Sequence, residues 1–255
     1  MAPEKTSSKI SRRKALGLIG AAGAAALVGY GIAGQPVSKE TRIDDRAEVR
    51  DAVSISCVVT PSQTEGPYFV DEKLNRSDIR SDPTNNSLKE GVPLRLKISV
   101  YRVDGVSCTP FVNALVDIWQ CNVLGVYSDV LDQAGRFDTR GQKFLRGYQV
   151  TDKNGVVEFK TVYPSWYMGR TVHIHFKVRT NPAAQQGYEF TSQLYFDESI
   201  TNEVFAQPPY ITRGRRDTTN ATDGIFRESG AQLMLRLNRD GQSYAGVFDI
   251  GLRLA

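Results

Sequence analysis

Tyr163-Pro-Ser-Trp-Tyr-Met-Gly-Arg-Thr-Val-His-Ile-His-Phe-Lys177 carries the whole histidine supply of the chain, His173 and His175, with one residue between them. From Val172 to Val178 the residues alternate. His173, His175 and Lys177 share one face, and Val172, Ile174, Phe176 and Val178 the other. This pattern predicts a β-strand, on which positions i and i+2 lie on one face roughly 6–7 Å apart. Two imidazoles side by side can grip a single metal ion. Tyr167 and Arg170 stand just upstream, close enough to join the same site.

Outward from this stretch the strand signature recurs. Leu94-Arg-Leu-Lys-Ile-Ser-Val100 is apolar at every second position, and Ala114–Trp119 reads as another strand. Tyr148–Thr151, a turn at Asp152–Gly155 and Val156–Phe159 read as a hairpin. Gln193–Phe196, Leu233–Leu237 and Val247–Leu252 are further strands. Polar, turn-rich stretches separate them, at Asn75–Glu90, residues 128–143 and Pro208–Arg216. Heptads, repeats of 20–50 residues and a long helix beyond the N-terminal segment are all missing from the sequence. The expected fold class is all-β, a β-sandwich of short antiparallel strands with long active-site loops, in one domain over residues 57–255.

Net charge is +4, but residues 1–33 hold five basic side chains against one acid. The remainder balances at 27 basic and 27 acidic residues, so no nucleic-acid signature remains. Ser11-Arg-Arg-Lys-Ala15 followed by an apolar, Gly/Ala-rich run to Ala33 reads as a twin-arginine export signal over residues 1–33. That implies a periplasmic or extracellular protein with no stable membrane insertion once the leader is removed. The alternative is an uncleaved leader serving as a membrane anchor, because 18 apolar residues can cross a bilayer. Residues 34–56 are polar and charged and read as a linker. Cys57, Cys108 and Cys121 suit one disulfide and one free thiol in an oxidising compartment, and spacing does not choose the pair. Oligomeric state is not legible.

If the histidine pair binds metal, two imidazoles need further ligands. Residues 160–180 contain no Asp or Glu, and the nearest oxygen donors are tyrosines. Asp117-Ile-Trp-Gln-Cys-Asn-Val-Leu-Gly-Val-Tyr127, Pro164-Ser-Trp-Tyr167 and Arg170-Thr-Val-His-Ile-His175, in that order, resemble the intradiol ring-cleavage dioxygenases, which include the catechol and protocatechuate 3,4-dioxygenases. Thr64-Glu-Gly-Pro-Tyr68 is similar to their pocket-edge segment and Gln193-Leu-Tyr-Phe196 to their strand after the metal ligands. The resemblance runs from about Cys57 to Leu252.

It implies a mononuclear non-haem Fe(III) held by Tyr127, Tyr167, His173 and His175, with Tyr167 released when substrate binds. It also implies catalytic roles for Arg170 and Gln193 facing the substrate ring, and a catechol-type diol and O2 as reactants giving a cis,cis-muconate-type diacid. Hard, anionic phenolate oxygens favour Fe(III), and a phenol with a pKa near 10 ionises at neutral pH only beside a strong Lewis acid. Only five residues separate Tyr167 from His173, where larger members of the family carry an insertion, which leaves the substrate open. Two other classes stay in play: a non-catalytic metal- or aromatic-binding β-sandwich module, and a zinc hydrolase built on the two histidines.

Overall fold

A computed structural model describes residues 58–180 and 187–254. The expected export signal (residues 1–33), the linker (34–56) and Cys57 lie outside the described residues. Cys108 is disulfide-bonded, whereas Cys121 is a free, buried thiol.

Two sheets pack face to face. The first is organised on β1 (Pro93–Asp104), the strand with the clearest alternation. One edge of β1 pairs antiparallel with β2 (Ser107–Pro110) and β5 (Val156–Val162). Its other edge runs parallel to β9 (Ser243–Leu252), which in turn pairs with β8 (Arg236–Asp240). The second sheet has the order β4 (Arg146–Val150), β3 (Leu115–Trp119), β6 (His173–Arg179), β7 (Glu189–Tyr195), all antiparallel. Leu94, Leu96, Ile98 and Val100 of β1 meet Val116 and Ile118 of β3 and Ile174, Phe176 and Val178 of β6 in the main core. Burial of such side chains contributes roughly 1.5–3 kcal/mol each.

The sandwich expected from the sequence is present, with three differences. Tyr148–Thr151 and Val156–Phe159 are not a hairpin: β4 pairs with β3 and β5 with β1, so the Asp152–Gly155 turn carries the chain between sheets. Alternation identifies a strand but not its neighbour, which depends on side chains far away in sequence. The strands are not all antiparallel, since β1 and β9 run together. Leu233–Leu237 is mostly not strand, because residues Gly230–Leu233 form a 3-10 turn before β8. Short helices α1 (Glu198–Phe205) and α2 (Gly224–Ser229) each start at an aspartate, Asp197 and Asp223, whose carboxylate accepts the free N–H groups of the first turn.

Every residue of β3 is buried, and in β6 all but Arg179. One face of this sheet covers the core, and the other is covered by loops. Among the described residues, no helix is long and apolar enough to cross a membrane.

Candidate metal centre

The register of the second sheet builds the site. Trp119 pairs with His175 across β3 and β6, and His175 with Gln193 across β6 and β7. His173 pairs with Tyr195. All of these side chains are buried on the loop-covered face. The His173 and His175 Nε2 atoms lie 3.0 Å apart, with the rings nearly perpendicular at 82°. His173 Nδ1 sits 2.7 Å from the Thr171 carbonyl, which can only accept, so Nδ1 carries the proton and Nε2 presents its lone pair. Burial holds both imidazoles neutral: His173 is lowered to about 3, with Arg170 adding to the effect, and His175 is lowered well below its ordinary value. Neutral imidazole is the form that binds metal.

Two phenols complete the cluster. Tyr127 leaves β3 through Asn122–Val126, a turn fixed by the Asn122 side chain accepting from the Leu124 and Val126 N–H groups. Gly125 has φ +75°, and a Cβ there would stand 2.3 Å from the Trp166 carbonyl, so only glycine permits this crossing. The Tyr127 hydroxyl lies 3.4 Å from His173 Nε2 and is completely buried. Tyr167 is partly buried, on the loop that turns at Gly169 back into β6, and its ring meets those of Tyr127 and His173 edge-on at 5.6 and 5.7 Å. Arg213 holds this loop by donating to the Trp166 carbonyl at 2.8 Å and stacking on its indole. Burial pushes both phenols up from their ordinary values, and Arg170 acts in the opposite direction on each.

The flanking walls are aromatic. Trp119 stacks on His175 with ring centroids 4.9 Å apart, and Tyr68 stacks on Tyr127 at 4.7 Å. Gly66 brings the Thr64–Tyr68 backbone against the imidazole, since a Cβ there would be 3.2 Å from His175 Cε1. The Tyr68 hydroxyl donates to buried Asp132, which Arg136 also holds.

Arg170 and Gln193 meet directly: Arg170 Nη2 donates to Gln193 Oε1 at 2.7 Å, and Gln193 Nε2 donates to the Thr64 carbonyl. The other sequence-predicted site residues, Tyr127, Tyr167, His173 and His175, fall in the same cluster. Asp223 was missed. Its carboxylate accepts from Arg170 Nε at 2.8 Å, although no acid occurs within residues 160–180. Asp223-Gly224 at a helix start is legible as an N-cap, but nothing local connects it to Arg170. Tyr195, whose hydroxyl donates to Gln63 Oε1 at 2.7 Å and lies 3.1 Å from Gln193 Oε1, was also missed.

The donor set fits one metal ion. His173 Nε2 lies 3.0 Å from His175 Nε2 and 3.4 Å from the Tyr127 hydroxyl, the Tyr167 ring stands edge-on beside them, and among the described residues no group of three or more His, Cys, Asp or Glu side chains could hold one instead. Fold and site thus define an all-β sandwich with a buried tyrosine–histidine cluster suited to a mononuclear centre.

A family model described as dioxygenase matches residues 64–222. An intradiol ring-cleavage dioxygenase from Tetranychus urticae is similar in structure at TM-score 0.66 and 30% identity, covering 77% of this chain and 95% of that one. The dioxygenase domain of a carbohydrate-binding fusion protein from Streptomyces sp. SirexAA-E is similar at TM-score 0.53 and 27% identity, over 78% of this chain and all of that domain. Catechol 1,2-dioxygenase of Acinetobacter baylyi is 31% identical over 133 residues, 49% of this chain but only 38% of that enzyme. The chain belongs to the intradiol ring-cleavage dioxygenase family.

Proposed function

We propose that this protein is a mononuclear non-haem Fe(III) enzyme that cleaves a catechol-type aromatic diol with O2 between its hydroxylated carbons, giving a cis,cis-muconate-type diacid. The observation that carries this reading is the pair of Nε2 atoms 3.0 Å apart bordered by two phenols, with neither thiolate nor carboxylate in the donor set. Tyr127, Tyr167, His173 and His175 would hold the ion, since anionic phenolate oxygen selects the harder ferric state. When bound, Fe(III) supplies the Lewis acidity that ionises the phenols and makes a chelated catecholate reactive toward O2.

The protein's own groups then divide the work. Tyr127 is enclosed, its carbonyl held by Thr139 Oγ1 at 2.6 Å, and it stays in place. Tyr167 sits on a glycine-containing loop with part of its surface open, so it can swing away as the diol enters, its Oη taking up one of the diol's two protons. Arg170, 11% exposed, offers a fixed cation to negative charge developing on the ring. Gln193 orients that guanidinium. Trp119, Tyr68 and Phe69 keep bulk water from the imidazole side.

The test is a visible spectrum with oxygen uptake. Iron-loaded protein should be red to purple from tyrosinate-to-Fe(III) charge transfer and should consume O2 with catechol, 4-methylcatechol, protocatechuate or hydroxyquinol. A colourless iron-loaded sample would reject the ligand set. A coloured one inert to every diol would favour a binding module. We further propose export through residues 1–33, for which N-terminal sequencing of the mature protein should begin near residue 34. A start at Met1 in the membrane fraction would favour the uncleaved anchor.

A further inference from the structure

We propose that Asp223 is the positioning residue for Arg170, setting the guanidinium over the substrate site from an element some 50 residues away in sequence. The inference rests on the dioxygenase reading for its kinetic consequence, but its structural content stands alone. Asp223 is 1% exposed, and its two oxygens accept four hydrogen bonds. Oδ2 takes Arg170 Nε and the Thr171 N–H, both at 2.8 Å. Oδ1 takes the Ile225 and Phe226 N–H groups at 2.8 and 2.9 Å. One carboxylate therefore ties the start of α2 to the loop that leads into His173.

The contacts fix a direction as well as a charge. Nε is held by Asp223, while Nη2 is held by Gln193 Oε1 at 2.7 Å and lies 3.4 Å from the Tyr195 hydroxyl. With two corners of a planar group pinned, the plane of the guanidinium is set. The Asp223 carboxylate thus gives the buried guanidinium a fixed counter-charge 2.8 Å from Nε.

An asparagine at position 223 cannot reproduce this. If its oxygen caps α2, its NH2 faces two donors, Arg170 Nε and the Thr171 N–H. If the oxygen faces Arg170, the NH2 meets the Ile225 and Phe226 N–H groups. Either orientation sets donor against donor, so Arg170 loses its seat although side-chain volume is unchanged. Asp223→Ser is the second variant, because a hydroxyl still caps the helix but cannot reach and neutralise the guanidinium.

The experiment uses the iron-loaded full chain carrying Asp223→Asn, or Asp223→Ser should the first not fold. Iron content and the resting visible band should match the wild type, while kcat for the best diol falls about tenfold or more and KM moves far less. In an Arg170→Ala background the same change should cost less than about twofold, because the two residues act as one unit. A crystal structure of the variant should find Arg170 displaced from Gln193. Wild-type kcat, an equal loss with and without Arg170, or an undisplaced guanidinium would each overturn the proposal. If the loaded wild type consumes no O2 with any diol, the dioxygenase reading fails by itself, and the variant's crystal structure still decides for or against Asp223.

Discussion

Tyr127→Phe should make the metal-free protein more stable and the metal-loaded protein less so. The phenol is completely buried, and its hydroxyl has one hydrogen-bond partner among the described residues, His173 Nε2 at 3.4 Å. A good O–H bond is about 2.7–2.8 Å long, so this group has given up water for little return. An ill-satisfied buried polar group costs about 1–3 kcal/mol. Phenylalanine removes that cost and keeps the ring, which stacks on Tyr68 at 4.7 Å. Relief of about 1–2 kcal/mol corresponds to a Tm rise of roughly 2–8 °C for a domain of this size. Under the proposed function ferric ion should reverse the order, because stabilisation by a ligand grows with its affinity and the variant lacks one anionic donor. Calorimetry with chelator and then with Fe(III), alongside the visible spectrum, reads both halves. A metal-free variant destabilised by more than about 1 kcal/mol would mean the hydroxyl holds the fold together, and the reasoning would fail. So would a loaded variant with an undiminished charge-transfer band.

Other perturbations probe the surroundings. Arg170→Ala should leave iron content and colour intact but slow ring cleavage by about a hundredfold, the scale of losing one preorganised charge-stabilising donor; unchanged turnover would reject the electrostatic role. Gly125→Ala puts a Cβ 2.3 Å from the Trp166 carbonyl at φ +75°, so it should cost at least about 2–3 kcal/mol in denaturant unfolding and weaken colour by shifting Tyr167, whereas a neutral result would mean the crossing is loose. Asp223 is buried, which opposes its charge, but the Phe226 and Thr171 N–H groups and Arg170 depress its pKa below the ordinary carboxylate value. A depressed acid contributes stability that is full above the unfolded value, near pH 4, and is lost as pH falls through the folded one. The unfolding free-energy gap between wild type and Asp223→Asn should therefore be constant from about pH 5 to 8 and shrink below about pH 4; a gap that widens on acidification would contradict the ion pair.

The tyrosine–histidine cluster illustrates a general tension. Two neutral imidazoles with Nε2 atoms 3.0 Å apart, and a buried phenol without a short hydrogen bond, are poor choices for stability. Such arrangements persist where function needs them. The surrounding order compensates: Trp119 and Tyr68 stack on the rings, and Gly66 and Gly125 let backbone close over them.

By itself the sequence determined what is local. Alternation in Leu94–Val100 and Val172–Val178 predicts strands, and both are found, because period-two burial belongs to the strand itself. His173-x-His175 on one face suggests a metal grip, the family resemblance carried by Tyr127, Tyr167 and Arg170 implies that they join it, and the structure brings these side chains together. Tertiary structure decided what depends on distant partners. It assigned β4 and β5 to different sheets, which a shared turn had suggested were one hairpin, and it laid β1 parallel to β9. It also brought Asp223 to Arg170 and set Gln193 beside His175 through the β6–β7 register. Strand alternation fixes which way a side chain points, but which residue it meets follows only once the sheets are packed.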